Sequence, residues 1–303
     1  MKIIVTGGTG FIGRNLVSRL AVANHEIVCL TRGPSGAPHA GRDSVRYEKW
    51  DGKTVGAWGS HVNGAHAIFN LAGESIGAKR WSPEQKRKII GSRVDAARAI
   101  VESIRQARQK PSVLVNASAV GYYGSVEEGD VIESHKRGEG FLAETVEMWE
   151  REARAAESLG VRVVLMRNGV VLGRDGGALA RMLLPFKLFV GGTIGSGRQW
   201  FPWVHLDDVV GVALFALENA RLFGPVNVTA PDPVTMKQFC HTLGKAINRP
   251  SWAPVPSFVL RLMLGEMSEM ILTGQRVVPS ALTREGFTFR FPKLETALRD
   301  SVA

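Results

Sequence analysis

The chain has 303 residues, 45% of them hydrophobic and 22% charged, which is enough to bury a large core in one large domain or two smaller ones. No apolar run reaches the roughly 18 residues of a membrane span, and Met1 leads straight into an apolar run, so neither a transmembrane segment nor a signal peptide is expected. The net charge of +10 is spread along the chain, with one dense patch at Lys86-Arg87-Lys88 and no aromatic-interleaved basic stripe; it suits an anionic cofactor and substrate, and neither nucleic acid nor a membrane is the expected partner.

Ile3, Ile4 and Val5 form a short β-branched run that predicts a buried strand. Gly7, Gly10 and Gly13 follow at G-x-x-G-x-x-G spacing. Phe11, Ile12, Leu16, Val17 and Leu20 then recur with helical period. Strand, glycine turn and helix together predict a dinucleotide site, because a helix N-terminus offers unpaired N–H groups to a pyrophosphate. Gly7, Thr9, Gly10, Phe11, Ile12 and Gly13 are the candidate residues of that turn. Glu26 to Thr31 predicts the second strand. Thr31-Arg32 stands where an acidic residue would bind the ribose of NAD, and a guanidinium there suits the 2′-phosphate of NADP, so NADP(H) is expected over NAD(H). Residues 33 to 44 predict a loop. Val45 to Trp50 predicts a third strand, after which Asp51 fits two roles, an acceptor for the adenine amino group or a turn cap.

Ala67 to Leu71 predicts a fourth strand whose small-residue end, Leu71-Ala72-Gly73, leaves room for a cofactor. Gly73-Glu74-Ser75-Ile76-Gly77 matches G-x-S-x-G by chance, since a loop rather than a helix follows. Ser82-Pro83-Glu84-Gln85 predicts a helix start with a capping box, and Ile90, Val94, Ala97, Val101 and Ile104 its apolar stripe. Arg93 borders that stripe, where both a solvated charge and a cofactor-facing one fit. Ser112 to Ala117 predicts a fifth strand, with Ser118, Tyr122 and Tyr123 just beyond its carboxyl end, where ligands of open parallel sheets bind. A helix over about 138–159 carries Leu142, Val146, Trp149, Ala153 and Ala156 on a face expected to be wholly apolar.

Val161 to Met166 predicts a sixth strand. Asp175 begins a loop, followed by an apolar segment with Leu183, Leu184, Phe186, Leu188 and Phe189. Residues 191–200 read as a flexible, substrate-lining segment, and Arg198, Trp200 and His205 are the candidate substrate residues. Asp207 or Asp208 is expected to cap a helix over Val209 to Leu217. Val226 to Thr229 predicts the last strand. The fold class expected is α/β, a Rossmann-type doubly wound parallel sheet over 1–230, to which about 174–203 contributes substrate contacts, with a smaller, mostly helical lobe over 231–303. Cys29 and Cys240 form no metal or redox pattern and the histidines show no ligand spacing, so no metal is expected and a reducing, cytoplasmic location is.

GGTGFIG, NLAG at 70–73, SAVGYYG at 118–124, RNGVVLG at 167–173 and VHLDD at 204–208 resemble, in that order, the extended short-chain dehydrogenase/reductase superfamily. GSR at 91–93, PFKLFVGGTIGSGRQWFPWVHLDD and the tail LTGQRVVPSALTREGFTFRFPKLETAL resemble an atypical branch of it, the NAD-dependent epimerase/dehydratase-like proteins. The resemblance implies bound NADP(H), an unknown hydroxyl or carbonyl substrate and a C-terminal lobe over the active site, and it admits a homodimer. The superfamily's Tyr-x-x-x-Lys pair, in which tyrosine supplies the proton and lysine lowers its pKa, falls here on Leu142 and Val146 or, one residue earlier, on Phe141 and Thr145, neither of which supplies an acid or an ammonium group, and its asparagine falls on Arg93. Ser118, Tyr122 and Tyr123 are therefore the candidate catalytic groups, with Arg93 supplying positive charge; a cofactor-binding sensor without turnover is the alternative.

Overall fold

Seven of the chain's apolar runs pair into one parallel sheet. They are β1 (Lys2–Thr6), β2 (Glu26–Thr31), β3 (Val45–Lys49), β4 (Ala67–Asn70), β5 (Val113–Ala119), β6 (Arg162–Asn168) and β7 (Gly224–Val228), in the order β3-β2-β1-β4-β5-β6-β7. The computed structural model describes residues 1–33, 44–174 and 176–303; the interior of the loop expected over 33–44, and Asp175, lie outside the described residues.

The central strands are apolar on both faces because helices cover both. Ile3, Val5, Cys29, Phe69, Val115 and Val164 face α1 (Phe11–Val22) and a later helix over Leu206–Glu218. The alternate residues Ile4, Val28, Ile68, Leu114 and Leu165 face α2 (Pro83–Gln106) and α3 (Phe141–Arg154). The strand order reverses between β1 and β4, and the crevice beyond their carboxyl ends is where such sheets bind ligands. Both cysteines are buried free thiols, and burial pushes Cys29 up to about 12 and Cys240 up to about 11.

A third core joins Leu172, α4 (Leu179–Lys187), Phe201 and Trp203 to α6 (Met236–Ala246) and the C-terminal helix Leu294–Val302. Packing in the second lobe thus draws on chain from both sides of residue 230. Phe287 and Phe289 of the same tail rest instead on α5, the helix Leu206–Glu218.

Several local expectations change. β5 continues two residues past Ala117, because Ser118 and Ala119 pair with Arg167 and Asn168 of β6. On α2 the buried stripe runs through Ile89, Ala96, Ala97, Ile100 and Ile104, and Ile90 and Val94 are only half-buried. The box at Ser82 forms by half: Ser82 Oγ accepts from the Gln85 N–H at 3.1 Å, while the Gln85 amide nitrogen has no partner. The complete box is at Thr235 and Gln238. Helix α5 is capped by His205 rather than by either aspartate. Its Nδ1 accepts from the Asp207 N–H at 3.2 Å, while Asp208 accepts from the Arg290 and Phe291 N–H groups at 2.6 and 3.0 Å and so ties the tail to the helix.

Candidate cofactor and active site

The glycine turn is built so closely that side chains are excluded. A Cβ on Gly7, which has φ +67°, would stand 2.6 Å from the Leu71 carbonyl oxygen, and one on Gly13 would overlap the Gly7 carbonyl. The Gly10 N–H donates to Gly7 O at 2.9 Å, and Gly10 caps α1 without any side-chain bond and with no acid in the first turn. The first-turn N–H groups are left for an anion. Thr9 and Gly10 are exposed beside them and Ile12 is half-buried. The Phe11 ring is clasped by Gly173, Gly176 and Gly177, whose absent side chains make room for it. Beneath the turn, Thr6 Oγ1 donates to Asn70 (2.7 Å), Asn70 to Asn116 (2.6 Å), and Thr6 accepts from the Ala72 N–H (3.2 Å). This buried string fixes the ends of β1, β4 and β5 relative to one another.

On the adenosine side, Arg32 is exposed at the end of β2, next to a half-buried Thr31 whose hydroxyl meets the Gly33 N–H at 3.4 Å. Asp51 fills at least the turn-cap role of the two expected of it. Its carboxylate accepts from the Lys53 and Thr54 N–H groups and the Thr54 hydroxyl at 2.8 to 2.9 Å, and those bonds lower its pKa. It holds a turn, which an Asx residue does readily. At the other side, Leu71, Ala72 and Gly73 follow β4 as anticipated. The Arg93 guanidinium lies under Gly73, donates to Glu74 O and Ile89 O at 3.0 and 3.1 Å, and sits 5.2 Å from the Trp149 ring centroid. Burial pushes Arg93 down to about 10, with Glu74 opposing. It is therefore a largely enclosed charge beside Gly73 rather than a solvated one.

Beyond β5 the arrangement differs from the sequence reading. The face of α3 is not wholly apolar: Thr145 and Glu150 are buried on it. Glu150 Oε1 accepts from Ser118 Oγ at 2.6 Å, and the carboxylate takes a two-point grip from Arg167 at 2.8 and 2.8 Å. Arg167 also donates to the Tyr123 hydroxyl at 2.9 Å. Burial would lower the Arg167 pKa, but the Glu150 pair and Tyr123 raise it on balance. Tyr123 is 1% exposed; its hydroxyl donates to Asn227 at 2.6 Å, and burial pushes it up to about 12 despite Arg167. Tyr123 thus points into the protein and is not a proton donor to the crevice. Tyr122 is half-buried, with the Arg167 carbon 3.6 Å from its ring centroid.

Glu150, Arg167 and Asn227 are the members of this cluster that the sequence reading missed. The signal was available: Glu150 lies one turn beyond Val146 on the stripe of Leu142 and Val146, and a carboxylate in an apolar stripe demands a partner.

The substrate candidates separate. Trp200 is half-buried, with the Arg276 guanidinium 5.3 Å from its ring, and Arg198 is exposed. His205 is 3% exposed, stacked on Phe291 at 3.9 Å with Nε2 3.3 Å from Asp300; it is a helix cap inside the second lobe, not a crevice residue. The 191–200 segment is pinned to the C-terminal lobe by a bridge between Ile194 and Val255 and by Gln199, which donates to Ile194 O and Ile271 O at 3.0 Å.

Comparison with known proteins is consistent with this geometry. A model of the NAD dependent epimerase/dehydratase family matches residues 3–228, and a domain of unknown function, DUF1731, matches 255–301. The chain belongs to that family, in its atypical extended short-chain dehydrogenase/reductase branch. It is 44% identical over 99% of its length to a chloroplastic epimerase family protein SDR39U1 homolog of Arabidopsis thaliana, covering 86% of that protein. It is 41% identical to epimerase family protein YfhF of Bacillus subtilis, covering all of this chain and 98% of that one. The solved structure of human epimerase family protein SDR39U1 with NADPH superposes with a TM-score of 0.89 at 34% identity, over 99% of both chains. UDP-glucuronic acid 4-epimerase from Bacillus cereus, at 16% identity over 99% of this chain and 98% of that one and a TM-score of 0.80, shares the fold. No helix among the described residues is long and apolar enough to cross a membrane.

Proposed function

We propose that this member of the NAD dependent epimerase/dehydratase family binds NADP(H) over the β1–β4 crevice and acts on a small hydroxyl or carbonyl compound without a Tyr-x-x-x-Lys pair. The observation that carries the reading is the side-chain-free cradle at Gly7, Gly10 and Gly13, open to an anion, with Arg32 rather than an acid at the end of β2. The NADPH in the human relative's structure supports the same preference. Thr9 to Gly13 receive the pyrophosphate, Thr31 and Arg32 the 2′-phosphate, and Leu71 to Gly73 flank the nicotinamide end. NADP(H) bound there supplies hydride exchange with a carbon bearing oxygen. Ser118, its own proton directed to Glu150, accepts a hydrogen bond from a substrate hydroxyl. Tyr122 carries the proton, and Arg93 supplies fixed positive charge beside the ring. Arg198 and Trp200 contact the substrate.

A second reading, an NADP(H)-binding sensor without turnover, is favoured by one observation: the pair positions hold Leu142 and Val146 or, one residue earlier, Phe141 and Thr145, so no ammonium group stands beside a tyrosine there. Anaerobic fluorescence titration with NADPH, NADP, NADH and NAD tests the foundation of both. NADPH binding that Arg32→Ala weakens supports it, and failure of all four to bind overturns it. Oxidation of bound NADPH by members of a carbonyl panel, lost in Tyr122→Phe, selects the enzyme; binding with no oxidation selects the sensor.

A further inference from the structure

The second lobe leaves much apolar surface uncovered. Leu184, Leu188, Phe189, Val190 and Trp252 are 53 to 68% exposed. They form one surface: the Trp252 indole N–H donates to the Phe189 carbonyl at 3.1 Å, the Trp252 and Ala253 N–H groups both donate to Gly191 O, and the Arg249 guanidinium lies 4.7 Å from the Phe189 ring centroid. Phe189 holds φ +62°, a left-handed conformation that glycine adopts more easily, so the turn presents an aromatic ring to solvent where a smaller residue would fit the backbone better. Five residues beyond Trp252 comes the helix Ser257–Leu264, α7, with sequence SFVLRLML, none of it buried; Phe258, Leu262 and Met263 stand 63 to 78% exposed. A helix apolar nearly all round is normally covered. Clustered exposure of this kind marks an interaction surface.

The charge around it is predominantly positive. Residues 176–206 contain Arg181, Lys187 and Arg198, residues 233–265 contain Lys237, Lys245, Arg249 and Arg261, and neither stretch contains an aspartate or glutamate, although the chain has 28. A second copy docked face to face would set these seven cations against each other, and the acids next to α7 are only Glu266, already paired with Lys86, and Glu269. The apolar side chains protrude from a helix end and a turn, which suits insertion into a deformable medium better than a fit to a rigid partner.

We propose that this face is a peripheral docking surface for an anionic lipid bilayer, with the exposed aromatic and aliphatic side chains entering the headgroup boundary and the surrounding cations facing lipid phosphates. It is a surface contact and not a span. The face adjoins the crevice, since Arg181 reaches the Gly77 carbonyl in the loop after β4 and Glu266, next to α7, pairs with Lys86 at the head of α2 at 2.5 Å. Docking therefore brings the loop after β4 beside the lipid.

Co-sedimentation of the full chain with phosphatidylcholine vesicles, alone or mixed equally with phosphatidylglycerol, tests this, with tryptophan fluorescence as a second readout. Binding is expected to the mixed vesicles, not to phosphatidylcholine alone, and to weaken when salt is raised from about 0.1 to about 0.5 M. Phe189→Ser/Trp252→Ser is expected to reduce partitioning by about tenfold or more, and Lys187→Glu/Arg261→Glu by about 25-fold or more, at roughly fivefold for each of the two cations removed, with Tm and NADPH titration unchanged. No binding to mixed vesicles, equal binding to both compositions, or binding indifferent to both double variants overturns the proposal. A dimer, or a complex with an acidic protein, that the Phe189/Trp252 variant breaks while vesicles are not bound overturns it in favour of that occupant.

Discussion

β1 and β5 end at the same edge of one sheet, two strands apart, and they end in opposite ways. Past Thr6 the site is backbone: Gly7 and Gly13 leave no room for side chains, Gly10 leaves little, and what they offer a ligand is N–H groups. Past Ala117 the site is side chains: Ser118, Tyr123, Glu150, Arg167 and Asn227 are joined in a buried network. A backbone site admits little substitution, because a Cβ at Gly7 or Gly13 collides with main chain and one at Gly10 stands tightly against the Gly7 carbonyl. A side-chain site can be refilled, and here the Glu150 of an Arg–Glu pair stands one helical turn beyond Val146 and two beyond Leu142.

The largest test of that contrast is Glu150→Ala, which leaves Arg167 buried without its partner. Urea unfolding should show a loss of about 3–5 kcal/mol, and the double variant Glu150→Met/Arg167→Met should recover most of it. If Glu150→Ala is neutral, the network is not buried as described. Gly13→Ala should be next, losing about 2–3 kcal/mol together with measurable NADPH binding, because its methyl meets the Gly7 carbonyl. Retained NADPH affinity in that variant would break the backbone half of the comparison.

Tyr123 gives a pH test. Its hydroxyl ionises near 10 when the chain is unfolded and about 12 when folded, so the folded state holds the proton more tightly. Its stabilisation is complete below pH 10 and is lost as pH rises from 10 through 12, by about 1.4 kcal/mol per unit. The alkaline limb of the stability curve should be shallower in Tyr123→Phe. Arg32→Ala should weaken NADPH by about tenfold and leave NADH unchanged, as expected for a guanidinium that meets only the 2′-phosphate. The smallest effect is reserved for Asp51→Ala. Loss of a turn cap costs about 0.5–1 kcal/mol in thermal unfolding and leaves NADPH affinity within about twofold. A large drop in affinity would return Asp51 to the adenine.

The glycine turn, the strands from Ile3 to Val228 and the ends of β2 and β4 were legible because each is specified within a few neighbouring residues. Gly7 to Gly13 needs only its own spacing and the runs on either side. The roles of Tyr123, His205 and Asp208 were not legible, nor was the identity of the partners that Glu150's place in an apolar stripe demands, because each depends on residues far along the chain: Asn227, Phe291 and Asp300, Arg290, and Ser118 with Arg167. The sequence lists these polar groups without saying which meet.

By itself, then, the sequence determined the doubly wound sheet, its order of elements and the anion-ready helix start, since apolar period and glycine geometry are local physics. Tertiary structure alone decided which polar side chains face the crevice and which are paired inside. Burial makes each unpaired polar group costly, and only packing brings its partner within hydrogen-bond reach.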